Sequence, residues 1–280
     1  MAKISAFLGV ATLLFSLSSN VRADSFAYAV GGAGTLETVD LNTGVNTVLS
    51  VTPCAGTNPG PGIIPCVGLG VSDGALFLVQ NAAGGVANFY SVDTTNGSTS
   101  LLGSSTFTVA AFGSTTNGLF VVDTSGNLYS ASLSTGLTLL GSTGISPTRE
   151  EGLSDNSGSL YFTDAGSLYT LNTTTGAATL IGMMDSANDV GAMLFQNGTL
   201  YGTDAPGDTQ AGEIFTINTT TGIATDTGVN DNRVVSGGGL APDPLATPEP
   251  GTLSLLLCGM SGLGVLMGRK RLRQRWTSKA

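Results

Sequence analysis

The sequence predicts an all-β protein built as a five-bladed β-propeller. A nine-residue unit recurs along the chain, and its five copies close at Gly44, Gly97, Gly136, Gly176 and Gly222. The intervals between these glycines are 53, 39, 40 and 46 residues, which are blade-sized periods. The 41 glycines and the charged fraction of only 10% also favour a glycine-rich β protein with a folded core.

Each copy of the unit alternates apolar residues with threonine or serine before a turn. The clearest copies are Phe89–Gly97, Leu168–Gly176 and Ile214–Gly222, and weaker ones are Leu36–Gly44 and Leu128–Gly136. This alternation, followed by an Asx or Thr-Gly turn, is typical of strands joined by a hairpin.

A second hairpin precedes the unit in four copies. Its turns are Asp73-Gly74, Asn117-Gly118, Ser157-Gly158 and Asn197-Gly198, and each leads into an apolar strand. Glycine and asparagine fit there because they adopt positive φ angles. With a glycine-rich strand ahead of the turn, each unit has four strands, which is the content of one blade.

The first unit, which begins at Phe26, has no glycine-rich strand ahead of it. A segment of that kind, Val234–Leu240, lies at the far end of the repeats. If it completes the first blade, the ring closes and leaves no open sheet edge. We therefore predict closure with five blades; an irregular six-bladed ring and an open β-repeat are the alternatives.

The hairpin unit resembles the Tyr-x-Ile-Asp-x-x-Thr-Gly repeat of many secreted bacterial propellers. The resemblance spans residues 26–240 and is clearest in Leu168–Gly176 and Ile214–Gly222. Folds of this kind host enzymes, adhesins and scaffolds, so the resemblance implies an architecture and no particular function.

The N-terminus, residues 1–23, has the features of a signal peptide. Lys3 precedes an apolar run from Ile4 to Leu17, and small residues precede a cut between Ala23 and Asp24. The run is too short to span a bilayer comfortably, which argues against a membrane anchor.

The C-terminal segment, residues 244–280, has three parts. Pro248-Glu249-Pro250 precedes an uncharged stretch, residues 251–268, and a basic tail, residues 269–280. At ~1.5 Å per residue, the stretch covers most of a ~30 Å hydrocarbon core, which predicts a short transmembrane helix. The basic tail would hold the C-terminus in the cytoplasm.

This order resembles the PEP-CTERM sorting signal of Gram-negative bacteria that make exopolysaccharide. Pro248, Glu249 and Pro250 carry the resemblance. It implies that an exosortase, a membrane Cys transpeptidase, processes the tail of an inner-membrane intermediate and releases the body to the cell surface or extracellular matrix. The alternative is an ordinary single-pass anchor.

The body, residues 24–243, is strongly acidic. Only Arg149 and Arg233 are basic between Asp24 and Pro248, against eighteen acidic residues, which gives a net charge of −16. Such a surface repels phosphate backbones, so nucleic acid is not an expected partner. Divalent cations and uncharged, hydroxyl-rich polymers such as exopolysaccharide are compatible with it.

The chain contains no histidine, and Cys54 and Cys66 are the only cysteines of the body. A Ser-His-Asp triad and a Cys-His pair are therefore impossible. The cysteines border a Pro- and Gly-rich insertion, residues 53–65, which lengthens the first interval. In an oxidising compartment we expect them to form a disulfide; two free thiols are the alternative.

The candidate site residues are charged residues at the starts of glycine-rich strands. Arg149, Glu150 and Glu151 begin one strand, Asp189 begins the next, and Arg233 precedes the closing segment. Equivalent strand starts share one face of a propeller, so these residues would gather at one mouth of the central channel if the glycine-rich strands are the innermost. Their carboxylates fit Ca²⁺ or a polar ligand; structural Arg-carboxylate bridges are the alternative.

Two functions compete. The first is a non-enzymatic binding or scaffold protein of the cell surface or matrix, which agrees with the sorting tail and the missing histidine. The second is a Ca²⁺-dependent propeller hydrolase or lyase acting on a lactone or sugar, which needs several converging oxygen ligands. We favour the first because the predicted innermost strands supply mostly Gly, Ala, Leu and Ser.

Overall fold

All regular secondary structure in the described chain is β-strand. The computed structural model describes residues 26–31, 34–55, 66–115, 118–132, 136–147, 151–156, 158–184, 190–204, 212–230 and 239–243. Within these ranges no helix is long and apolar enough to cross a bilayer. The predicted signal peptide and sorting tail lie outside the described residues, whereas residues 25–245 form one compact unit.

The strands form five antiparallel sheets of four strands each. Blade 1 contains β1 (Phe26–Val30), β2 (Thr35–Asp40) and β3 (Asn46–Val51). Blade 2 contains β4 (Cys66–Ser72), β5 (Ala75–Ala82), β6 (Val86–Val92) and β7 (Thr99–Ser104). Blade 3 contains β8 (Val109–Thr115), β9 (Gly118–Asp123), β10 (Asn127–Ser132) and β11 (Gly136–Ser142).

The last two blades follow the same order. Blade 4 contains β12 (Leu153–Asn156), β13 (Ser159–Asp164), β14 (Ser167–Leu171) and β15 (Ala178–Met183). Blade 5 contains β16 (Val190–Gln196), β17 (Thr199–Asp204), β18 (Glu213–Ile217) and β19 (Ala224–Asn230). The final strand, β20 (Leu240–Pro242), belongs to blade 1.

The ring closes through β20, which confirms the predicted five four-stranded blades. β20 pairs antiparallel with β1, with Leu240 opposite Ala29, and it also contacts β4 and β16 of the neighbouring blades. The predicted closing segment was Val234–Leu240; the pairing strand is Leu240–Pro242, and residues 231–238 lie outside the described residues. The six-bladed and open alternatives are therefore excluded.

The hydrophobic core lies between the blades. Five clusters of buried side chains occur, and each draws its members from two adjacent sheets. In the third strand of four blades, the same register position holds a fully buried aliphatic residue: Leu36, Leu128, Leu168 and Ile214. Burying each of these side chains contributes about 1.5–3 kcal/mol, so the blade boundaries hold the ring together.

The innermost strands meet closely because one register position in every blade carries no side chain larger than a methyl group. The residues at this position are Gly68, Ala111, Gly152, Ala192 and Gly239. A Cβ at Gly68 would meet the backbone oxygen of Phe112, and a Cβ at Gly239 would meet the backbone of Leu69. Close packing around the axis therefore restricts this position to small residues.

In four blades, the hairpin between the third and fourth strands contacts the preceding blade at the rim. Its closing glycine has a positive φ and lies against the outermost strand of the preceding blade. The contacting pairs are Gly44 with Asn230, Gly97 with Ser50, Gly176 with Gly141, and Gly222 with Gly182. The Ser50 hydroxyl also donates a hydrogen bond to the Gly97 carbonyl, at 2.9 Å.

The boundary between blades 2 and 3 departs from this pattern. Its closing glycine is Gly136, and the equivalent residue on the outermost strand of blade 2 is Gly103. A Cβ added at either position would meet no atom within 4 Å. Among the boundaries that the structure describes, the rim contact is therefore missing at this one.

The predicted disulfide between Cys54 and Cys66 is present. It joins the residues after β3 to the first residue of β4, and both cysteines are buried. The Gln80 amide donates a hydrogen bond to the Pro53 carbonyl beside it, at 2.8 Å. The disulfide therefore connects blade 1 to the innermost strand of blade 2, as well as closing the insertion.

Replacing Gly182 by alanine tests the rim contact. The added Cβ would collide with the Thr221 carbonyl of the next blade, which should lower the free energy of unfolding by about 1–3 kcal/mol. Gly103→Ala is the matched control, because it is at the equivalent position in open space; its effect should stay within about 0.5 kcal/mol. If the two variants lost the same free energy of unfolding in urea, the difference in rim contact between the two boundaries would be contradicted.

Candidate functional site

The predicted channel mouth falls largely outside the described residues. Arg149, Glu150, Asp189 and Arg233 all belong to segments that the structure does not describe. Glu151 is described: it is buried just before β12, and its backbone N–H donates to the Ala110 carbonyl of blade 3, at 2.9 Å. Glu151 therefore lies just ahead of an innermost strand, and the convergence of the five residues stays a prediction.

The described residues do not form the predicted metal site by themselves. Within those ranges, no group of three or more cysteine and carboxylate side chains is arranged to hold a metal ion. A calcium site at this mouth would therefore depend on the residues outside the described ranges. The Ca²⁺ hypothesis stays a prediction.

A set of polar residues lies at the same end of the blades, at the position of the second strand that pairs with the start of the innermost strand. In blades 2, 3 and 5 these residues are Gln80, Asp123 and Asp204, and they pair with the starts of the innermost strands. In blade 4 the corresponding residue is Asp164. Antiparallel pairing therefore places this set beside the mouth that the sequence predicted.

Blade 1 differs from the other blades in the residue at this position. Gly31 stands where the other blades carry a polar side chain, and a Cβ there would collide with the Glu37 carboxylate. Glu37 comes from the adjacent third strand, is buried, and accepts a hydrogen bond from the Thr35 hydroxyl at 2.5 Å. A carboxylate is thus kept at this place, although it is supplied by the neighbouring strand.

Asp123 shows what this polar position does structurally. Its buried carboxylate accepts hydrogen bonds from the backbone N–H groups of Ser125 and Asn127, at 2.9 and 2.8 Å. The Asn127 amide and the Tyr129 hydroxyl also donate to it, at 2.9 and 3.0 Å. Burial raises the pKa of Tyr129 above its usual value, and the adjacent Asp123 carboxylate raises it further. Asp123 therefore fixes the turn between β9 and β10.

Asp164 occupies the same position with a different outcome. Its turn is one residue shorter and runs through Ala165 and Gly166 to Ser167. One Asp164 carboxylate oxygen, Oδ1, is buried and has no hydrogen-bond partner. The two aspartates at this position therefore differ in their hydrogen bonding.

Sequence reasoning missed Asp123 and Asp164, although a signal for them exists. Each follows an apolar or threonine-containing strand, as in Val121-Val122-Asp123 and Phe162-Thr163-Asp164. An alignment of the second strands of the repeats would have shown an acidic residue at the same position in several blades. The signal is weak because blade 1 carries glycine there and blade 2 carries glutamine.

Both apolar and polar residues line the opposite mouth of the channel. A cavity of about 240 Å³ lies among the carboxyl ends of the innermost strands. One register position contributes a residue from each blade: Val71, Ser114, Asp155, Phe195 and Pro242. The Ser114 hydroxyl accepts the Val71 N–H at 3.0 Å, and the Ser154 hydroxyl accepts the Phe195 N–H at 2.8 Å. These hydroxyls hold neighbouring strands together.

The rim hairpins form a third surface, which repeats from blade to blade. In each of four hairpins an Asx side chain accepts the backbone N–H two residues on, at 2.9 Å: Asp40, Asp93, Asn172 and Asn218. Hydrogen bonds from the Thr95 hydroxyl and backbone lower the pKa of Asp93. The Asx turn and the buried closing glycine together fix each hairpin at both ends.

The tips of these hairpins expose uncharged polar side chains. The exposed pairs are Asn42 and Thr43, Thr95 and Asn96, Thr174 and Thr175, and Thr220 and Thr221. Because the four hairpins occupy equivalent places in a closed ring, their hydroxyl and amide groups are presented at fixed spacings. This arrangement can make several weak polar contacts at once.

Neither family profiles nor the curated proteins offer a relative of this chain. The chain matches no protein-family profile, and none of the curated proteins is significantly similar to it. The ring, its described surfaces and the sequence of the two termini are therefore the features that bear on function.

Replacing Asp123 by alanine tests its role in the turn. The change leaves two backbone N–H groups and the Tyr129 hydroxyl without their acceptor, which should lower the free energy of unfolding by about 2–3 kcal/mol. Asp226→Ala is the control, because Asp226 is exposed and accepts only the Gly228 N–H; its effect should be below about 0.5 kcal/mol. Similar unfolding midpoints for both variants in urea would refute the structural role.

Proposed function

We propose that this chain is an exported protein of the cell surface or extracellular matrix whose propeller binds or scaffolds without catalysing a reaction. The observation that carries the proposal is the ring of rim hairpins with exposed, uncharged tips. Each hairpin is fixed by its Asx turn, as at Asn172 and Asn218, so little conformational entropy is lost when a partner is bound.

The chemistry of the hairpin tips favours a neutral, hydroxyl-rich polymer. Threonine hydroxyls and asparagine amides exchange hydrogen bonds with sugar hydroxyls, and a polymer contacts several blades at once. The net charge of −16 on residues 24–243 repels polyanions, which argues against acidic polymers and nucleic acid. Exopolysaccharide with few acidic groups is therefore the partner class that we propose.

The export route rests on the termini. The signal peptide in residues 1–23 and the PEP-CTERM-type tail in residues 244–280 support passage through an inner-membrane intermediate and processing by an exosortase. The disulfide between Cys54 and Cys66 agrees with an oxidising compartment, because such bonds are rare in the cytosol. Pro248, Glu249 and Pro250 are the proposed recognition residues for processing.

Charged hairpin tips should abolish polymer binding. The triple variant Asn42→Glu, Thr174→Glu and Thr220→Glu places carboxylates at one position of three hairpins and should weaken retention on the producing cells' exopolysaccharide at least tenfold. The control is Thr47→Glu, Thr179→Glu and Thr225→Glu, which adds the same charges to exposed positions on the outermost strands of the same blades. Equal retention of both variants would contradict the proposed surface.

Altering the sorting motif should trap the protein in the inner membrane. Replacing Pro248, Glu249 and Pro250 together by alanine removes the proposed processing signal, so the chain that keeps its C-terminal segment should accumulate in the inner-membrane fraction. Pro244→Ala, just upstream, is the control and should leave surface delivery unchanged. Immunoblots of membrane and released fractions distinguish the outcomes, and release of the triple variant at the normal level would rule out this route.

A further inference from the structure

The missing rim contact opens an apolar cavity between blades 2 and 3. It measures about 480 Å³, within the range of ~300–1,000 Å³ that small-molecule sites occupy. The described residues that line it include four aromatic side chains: Phe77, Phe89, Phe107 and Phe112. Gly103 and Gly136, the two glycines without a neighbour within 4 Å, lie at its edge.

The residues that form the cavity differ from their counterparts in the other blades. Phe89 is only partly buried, whereas the aliphatic residue at its register position is fully buried in the other four blades. Phe112 likewise stands where blades 1, 2 and 4 carry leucine on the innermost strand. The larger rings therefore occur at the boundary that stays open.

Leu102 shows that this boundary lacks a cover. It is the bulge residue of the outermost strand of blade 2, and 48% of its surface is exposed. The corresponding bulge residues of blades 1, 3 and 4, which are Leu49, Leu140 and Ile181, pack partly buried against their cores. Leu102 instead lines the cavity.

The connection between the two blades is held in place around the cavity. The Phe107 ring stacks on Tyr129, with centroids 4.7 Å apart and an interplanar angle of 21°. The buried Ser105 hydroxyl donates to the Phe107 carbonyl at 2.5 Å and accepts the Ala87 N–H at 3.0 Å. Phe89 and Phe112 meet edge to face, with centroids 6.1 Å apart. The aromatic walls are therefore positioned before any ligand arrives.

We propose that this cavity binds one uncharged, hydrophobic small molecule that contains a ring system. No charged side chain is among the described residues that line it, so nothing there would pair with a ligand charge. The net charge of −16 on the body also disfavours anions such as fatty acids. Stacked and edge-on phenylalanine rings favour planar rings. This site goes beyond the proposed function and does not depend on polymer binding or sorting.

The test uses the full-length chain and the neutral fluorescent dye N-phenyl-1-naphthylamine. We expect a saturable rise in fluorescence with one dye per chain, above any linear partition into the apolar tail. Leu102→Asp places a carboxylate in the cavity and should weaken the saturable component at least tenfold. Leu101→Asp is the matched control: this residue is 60% exposed on the same strand, does not line the cavity, and should bind normally.

A second variant protects the test against misfolding. Gly103→Leu fills the cavity from a position with open space, so it should keep the wild-type unfolding midpoint and lose the saturable dye binding. Competition separates the ligand classes at pH 7: 1-naphthol should displace the dye at least tenfold better than 1-naphthoate. The proposal is overturned if wild type shows no saturable component, if Leu102→Asp and Leu101→Asp bind alike, if Gly103→Leu binds normally, or if naphthoate competes equally.

Discussion

The ring depends on direct backbone contact between neighbouring blades at positions that have no side chain. At the axis Gly68 and Gly239 let the innermost strands approach, and at the rim Gly176 rests on Gly141. These contacts bring the sheets close enough for the five shared cores to be buried between them. Burial of apolar side chains supplies the stabilising free energy, and the glycines let the blades approach closely enough for that burial to occur.

Much of the fold was predictable because its requirements are local. A hairpin needs an Asx residue and a glycine at fixed offsets, so the repeat period revealed the blades, and the strand missing before Phe26 predicted closure. The disulfide followed from the export signal. The exact closing strand, Leu240–Pro242, could not be predicted, because its pairing with β1 is a contact between distant parts of the chain.

The candidate surfaces were harder to predict for a different physical reason. Asp123 and Asp164 look like solvated turn residues in the sequence. Only the structure shows that the Asp123 carboxylate accepts several hydrogen bonds, whereas Oδ1 of Asp164 has no hydrogen-bond partner. Phe89 and Phe112 are typical core residues by composition. That they line a cavity follows from a contact that is missing between Gly103 and Gly136, and a missing contact leaves no pattern in the chain.

The closed ring underlies the hairpin display and the cavity alike, and its closure can be measured directly. Two chains that begin at Ser25, one ending at Leu245 and one ending at Gly239, differ in the β20 strand that pairs with β1. The longer chain should unfold in one cooperative urea transition, whereas the shorter one should lose several kcal/mol of the free energy of unfolding and show rapid hydrogen exchange in β1. Identical unfolding midpoints and equal protection of β1 would contradict closure by β20.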